Sequence, residues 1–191
     1  VIEACSDKWL TCELLRRRGL PTIPTELLTN ADHLTLPVDQ NCVVKPRDGA
    51  GCEGIISNKL DIVLTQLGND SATLQQFIVQ PLVAGMPISV AMIGLGEGHS
   101  PLFLPPTEQS LEWTDSGPKY LGGTIPANLP ASAREHLIQL CHSIAWALQL
   151  EDGYVGIDMI FAEDEFLITD INPRLCTGYV GYRAATNHNL M

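Results

Sequence analysis

Residues 153–174 read GYVGIDMIFAEDEFLITDINPR, two β-prone runs divided by the acidic turn Glu163-Asp164-Glu165. Val155–Phe161 and Phe166–Ile171 carry aromatic and β-branched residues, and the short polar break between them predicts a hairpin. Asp170 and Asn172 lie two residues apart, so both project from one sheet face. A turn near Asp164 brings Asp158 opposite Asp170. Two carboxylates and an amide oxygen on one face make a hard, oxygen-only donor set. Mg²⁺ favours such ligands and draws the rest of its shell from water and phosphates. Arg174, just past the second strand, is placed to grip a phosphate or a carboxylate bidentately. Solvated strand residues are the plainer reading of both aspartates; their apolar flanks speak for a covered sheet instead.

A second pattern lies upstream. In VVKPRDGAGCEGI, residues 43–55, a lysine ends a predicted strand and a glycine-rich turn, Asp48–Gly54, follows. Glycines let backbone amides turn inward and approach phosphate oxygens, and the lysine adds a point charge. The turn also fits G-x-G-x-x-G, but a dinucleotide site needs a helix directly after the glycines, and Ile55-Ile56-Ser57 reads as extended. No Walker A match is present, and the order of glycine turn and lysine is the reverse of that in protein kinases. Taken alone, the turn is equally an ordinary hairpin connection.

The rest of the chain supplies a frame. Ser6 is the expected cap of a helix through Trp9, Leu10, Leu14 and Leu15, with Gly19 at its C-terminal stop. Asn58 is the expected cap of a second helix ending at Gly68. Strands are expected at Asn41–Lys45, Gln75–Val83 and Ile88–Ile93. Residues 104–130, rich in proline and glycine, read as one long loop. The clearest helix covers about 131–149, where Leu137, Leu140, Cys141, Ile144, Ala145 and Leu148 share one face.

Composition bounds the function. The chain has 191 residues, 45% of them hydrophobic, and a formal net charge of −11. That is enough apolar material for a folded core. The acidic balance disfavours nucleic acid, while a single nucleotide needs only a local cluster of donors. No apolar run is long enough to span a bilayer, and no signal peptide opens the chain, so a cytoplasmic protein with no membrane contact is expected. The six cysteines form no C-x-x-C pair and read as reduced thiols. The scattered histidines show no zinc spacing.

The two motifs in this order, K-P-x-x-G-x-G-x-x-G and then [DE]-x-N-P-R, resemble the ATP-grasp superfamily. The resemblance implies an α+β fold of two lobes with ATP in the cleft between them. It puts the small lobe at 20–82, and the larger lobe, with the metal site, at 1–19 and 83–191. It implies that Lys8 and Lys45 contact ATP phosphates, and that Asp48, Gly49, Ala50, Gly51, Cys52 and Gly54 form the loop over them. It makes Gln80, Pro81, Leu82 and Val83 the adenine hinge. Asp158, Asp170 and Asn172 match the ligands of Mg²⁺ or Mn²⁺, and Arg174 and Lys45 take the catalytic positions. One departure stands out: Pro87 occupies the place of a glutamate that often grips the ribose. DINPRLCTGYVGYR and KYLGGTIP look most like tyramine–glutamate ligases and their relatives in cofactor synthesis.

The implied reaction is ATP-dependent joining of a small carboxylate to an amine through an acyl phosphate. The alternatives are a carboxylase or carbamoyl-transfer component, and a nucleotide-binding module without turnover. The resemblance further implies that another α/β domain precedes this chain, and that the isolated chain self-associates into a homo-oligomer through an uncovered apolar face.

Overall fold

The computed structural model describes residues 5–49, 51–68, 70–114 and 117–186. Two antiparallel sheets form the frame. The smaller has the order β1-β4-β2-β3 and is built from Glu26–Leu27 (β1), Asn41–Pro46 (β2), Ile56–Lys59 (β3) and Phe77–Pro81 (β4). Helix α2 (Leu60–Leu67) and the single turn α3 (Ser71–Leu74) cover it. Leu28, Val44, Leu60, Val63, Leu74 and Val79 are fully buried there. Each such side chain contributes about 1.5–3 kcal/mol by leaving water.

The larger sheet runs β10-β9-β5-β7-β8, with the short β6 (Leu102–Phe103) also on β5. Its strands are Met86–Leu95 (β5), Thr107–Thr114 (β7), Gly117–Thr124 (β8), Asp152–Ala162 (β9) and Glu165–Asn172 (β10). Helix α4, Ala131–Leu148, buries the face expected from its periodicity. Leu137, Leu140 and Ile144 pack there on Ile88, Met92, Ile157, Met159, Phe166 and Ile168. Helix α1 (Lys8–Arg17) adds Leu15 to the same core, and α5 (Thr177–Thr186) follows β10. Among the described residues no helix is long and apolar enough to cross a membrane.

Three expectations change. The cap of α1 is Asp7, not Ser6: its carboxylate accepts from the amides of Trp9 and Leu10. Asn58 lies inside β3, and Lys59 precedes α2 without a side-chain cap. The segment 104–130 is no loop: it holds β7 and β8, a paired hairpin. Proline is tolerated because β8 is the edge strand, where a missing N–H need not break a central ladder.

The β9–β10 hairpin carries one irregularity that fixes the site. Its turn is Glu163-Asp164, both with left-handed φ (51° and 64°). That conformation suits a two-residue hairpin connection. Phe166 pairs with Phe161, and Ile168 with Met159. Phe166 and Ile168 belong to the core under α4. Plain alternation would send Asp170 into that core. The register slips between Ile168 and Asp170, so Thr169 is an extra residue and Asp170 pairs with Asp158 instead. The bulge turns Asp170 and Asn172 to the opposite face and leaves Ile171 in the core.

Candidate active site

That face closes one wall of a cavity of about 400 Å³ between the two sheets. Its size lies within the range of small-molecule sites. Lys8, Lys45, Asp158, Asp170, Asn172 and Arg174 all line it. They arrive from α1, β2, β9, β10 and the turn after β10.

Asp158 is held from two sides. Gln109 on β7 donates to Oδ1 at 3.2 Å, and the Asn172 amide donates to Oδ2 at 2.9 Å. Ser89 lies directly across the β5–β9 ladder. Burial raises the Asp158 pKa and neighbouring Asp170 adds to the rise; Ser89, Lys45 and Gln109 pull against it. Asn172 in turn accepts from Arg174 at 3.3 Å.

Asp170 pairs with Lys8, Nζ to Oδ2 at 3.2 Å, both side chains less than one-fifth exposed. Lys8 also donates to the carbonyl of Gly49, tying the start of α1 to the glycine-rich turn. Lys45 donates to the carbonyl of Thr169, the bulge residue. Burial lowers the Lys45 pKa, and the nearby Asp170 carboxylate opposes that shift. Three cations thus gather in a strongly acidic chain, beside Asp158, Asp170 and the Glu53 carboxylate of the same lining. The set suits an anionic ligand with a bound cation.

Asp158, Asp170 and Asn172 fit a hard divalent ion: two carboxylates and an amide group share one face, and the cavity lining holds no imidazole, while its two thiols, Cys52 and Cys176, lie outside the set. Among the described residues no cluster of three or more His, Cys, Asp or Glu forms a protein-only cage. An ion held here would therefore take much of its shell from its ligand's own oxygens and from water.

A family model of the ATP-grasp domain matches residues 5–178. The chain belongs to the ATP-grasp family. Solved structures agree with this ATP-grasp domain in fold. The ADP complex of an N5-carboxyaminoimidazole ribonucleotide synthetase is 18% identical, covers 91% of this chain and 46% of its own, and has a TM-score of 0.74. A putative ATP-grasp superfamily protein from Archaeoglobus fulgidus is 22% identical over 98% of this chain and 52% of its own, with a TM-score of 0.70. An L-amino acid ligase from Bacillus licheniformis is 17% identical over 94% of this chain and 43% of its own, with a TM-score of 0.73. The chain spans about half the length of these structures. No curated protein sequence matches it significantly.

In the ATP-grasp cleft the expected hinge, Gln80, Pro81, Leu82 and Val83, lines the cavity at the end of β4, and Pro87 faces it too. The Gln80 side chain is buried and donates to Thr25, so the segment offers the cavity chiefly backbone and apolar surface. Gly49, Gly51 and Cys52 line the cavity. Asp48 is exposed and does not line it. Gly54 also stays off the lining: its φ is 69°, and a Cβ there would strike Pro46. Ala50 lies outside the described residues. All six cysteines are free.

Sequence reading missed four residues. Ser89 and Gln109 flank Asp158, and Trp113 and Tyr120 line the cavity from the β7–β8 hairpin. The signal was the two-residue alternation Gln109, Leu111, Trp113 ahead of the turn-prone residue types D-S-G.

Proposed function

We propose that this ATP-grasp domain is the nucleotide-binding part of an ATP- and Mg²⁺-dependent carboxylate–amine ligase that works through an acyl phosphate. The observation that carries the reading is the convergence of Lys8, Lys45, Asp158, Asp170, Asn172 and Arg174 on one cavity that also includes the Gln80–Val83 segment. We take the two sheets as the two lobes, with boundaries near 20–82 and 83–191 and α1 joined to the larger.

In this reading the purine lies on the apolar surface of residues 80–83, and the phosphates run toward Lys45, Lys8 and the glycine-rich turn. Asp158, Asp170 and Asn172 hold Mg²⁺, or Mn²⁺ in its place; when bound, the ion neutralises phosphate charge. A substrate carboxylate oxygen attacks the γ-phosphorus and ADP leaves. An amine then attacks the acyl carbon, loses a proton, and inorganic phosphate departs. The protein's part is alignment and charge stabilisation. Lys45 and Lys8 offset charge on the transferred group, and Arg174 orients the carboxylate. The likeness of KYLGGTIP to enzymes of cofactor synthesis adds that setting to the proposal.

Calorimetry of the chain with MgADP, followed by a phosphate-release screen with MgATP, acids and amines, tests the reading. Binding at micromolar to low millimolar concentration and release that needs both an acid and ATP are expected. No MgADP binding at millimolar concentration would sink it.

A further inference from the structure

The β7–β8 hairpin presents two chemically different faces. Gln109, Leu111 and Trp113 from β7 and Pro118 and Tyr120 from β8 line the cavity. Ser110, Glu112 and Lys119 are exposed on the other side. The pairing explains the sorting, since Trp113 opposes Pro118 and Leu111 opposes Tyr120. A register slip after Ser110 leaves Leu121 as the extra residue and sets Gly123 across from Gln109.

The inner face also has a polar end and an apolar end. At the deep end, Gln109 donates to Asp158, and the Tyr120 hydroxyl accepts from Thr177 at 3.2 Å, three residues past Arg174. At the tip, Trp113 stands 52% exposed beside Pro118. Gly117 at the tip abuts the carbonyl of Ile55, just beyond the glycine-rich turn. Leu111 sits between the two ends. A half-exposed tryptophan on the wall of a cavity, continued inward by leucine and bounded by an arginine, asks for a ligand with one carboxylate and one apolar end.

We propose that the carboxylic acid activated in this cleft carries an apolar group of about ring size, seated on Leu111, Trp113 and Pro118. The proposal rests on the ligase reading above. The acid's carboxylate lies toward Arg174, and its apolar group lies along the hairpin toward the rim. A second carboxylate in that position would give up part of its water against leucine, proline and the indole face, and Leu111 and Pro118 offer it no side-chain donor in return. Acids with charged tails are thereby disfavoured.

The test uses the whole chain with saturating MgADP and measures acid binding by calorimetry. 3-Phenylpropanoate should bind about tenfold or more tighter than glutarate, the scale of one aromatic contact plus buried apolar area. Trp113→Ala and Leu111→Ala should remove most of that preference, losing far more acid affinity than nucleotide affinity, and Trp113→Phe should recover part of it. Glu112→Ala, on the outer face, should change neither. Equal binding of the two acids, or a preference that survives Trp113→Ala with Leu111→Ala, overturns the proposal while leaving MgADP binding intact. If 2-phenylethylamine and not the acid depends on Trp113, the assignment to the acid is overturned. Absence of MgADP binding removes the ligase reading, and this proposal with it.

Discussion

The ammonium of Lys45, on the small sheet, donates to the carbonyl of Thr169, the extra residue of β10, across 3.4 Å. A bulge leaves its extra residue out of the ladder, so that carbonyl is available to a partner outside the sheet. One slip in register therefore both turns Asp170 toward Asp158 and supplies an acceptor for a lysine from the other sheet.

Deleting Thr169 should separate those two effects. A regular ladder would still pair Asp170 with Asp158, because Ile168 already pairs with Met159. The Lys45 ammonium would lose its acceptor. The deletion should cost about 1–3 kcal/mol, the scale of an unsatisfied buried donor. Thr169→Ala should stay near wild type, since the acceptor belongs to the backbone. Urea unfolding of the three proteins decides it; equal stability of the deletion and wild type would show that the contact contributes nothing.

The carboxylate pair should govern metal dependence. In wild type, Mg²⁺ should strengthen ADP binding; in Asp158→Ala with Asp170→Ala that gain should vanish, while metal-free ADP binding changes less. Gln109→Ala, which removes only the amide beside Asp158, should weaken the metal-dependent gain on the order of tenfold. ADP titrations with and without chelator read both effects. A double variant that keeps the full Mg²⁺ response would falsify the donor set.

Gly156 lies across the ladder from Asn172, and a Cβ at 156 would run into Cys176 Sγ. Gly156→Ala should therefore push the segment that carries Arg174, destabilising the fold by about 1–3 kcal/mol through overpacking. Adding Cys176→Ala removes the sulfur and should restore much of the loss. Thermal melts of the single and double variants test this coupling; additive effects would show that the two positions do not meet.

Asp7 links α1 to Arg47, the residue between β2 and the glycine-rich turn. It accepts from Arg47 as well as from the helix amides. Burial alone would raise its pKa, but the Arg47 and amide hydrogen bonds outweigh that, and the net shift is downward from 3.8. A carboxylate with a depressed folded pKa stabilises fully above its unfolded pKa, and that stability is lost as pH falls through the folded value. Asp7→Asn should thus lower the melting temperature by a few degrees near neutral pH, and the gap should close below about pH 4. A gap of constant size down to pH 2 would point to packing instead of charge.

Much of the site was legible because its signals are local. The two-residue spacing of Asp170 and Asn172 fixes a shared face whatever surrounds them, and Asp158 was correctly set opposite Asp170. The reason was incomplete: the turn is centred between Glu163 and Asp164, and the bulge supplies the remaining residue of offset. FLITDIN does contain the sign of it, because Phe166 and Ile168 share a parity that Ile171 breaks. The β7–β8 hairpin was hidden by proline content. Pro118 reads as a strand breaker until its place in an edge strand is known, and that is a property of the whole sheet. The two caps went wrong by one residue each, where serine or asparagine composition competes with backbone geometry.

Gly117 has a φ of 111°, and a Cβ there would strike the Ile55 carbonyl. At this end of the cleft the two sheets meet backbone to backbone, with nothing thicker than a hydrogen between them. The residue acts as a spacer of minimum gauge. Any side chain at 117 would act as a shim, prising the glycine-rich turn from the hairpin and widening the mouth beside Trp113. The width of that mouth is thus set by the identity of a residue that stays off the cavity lining.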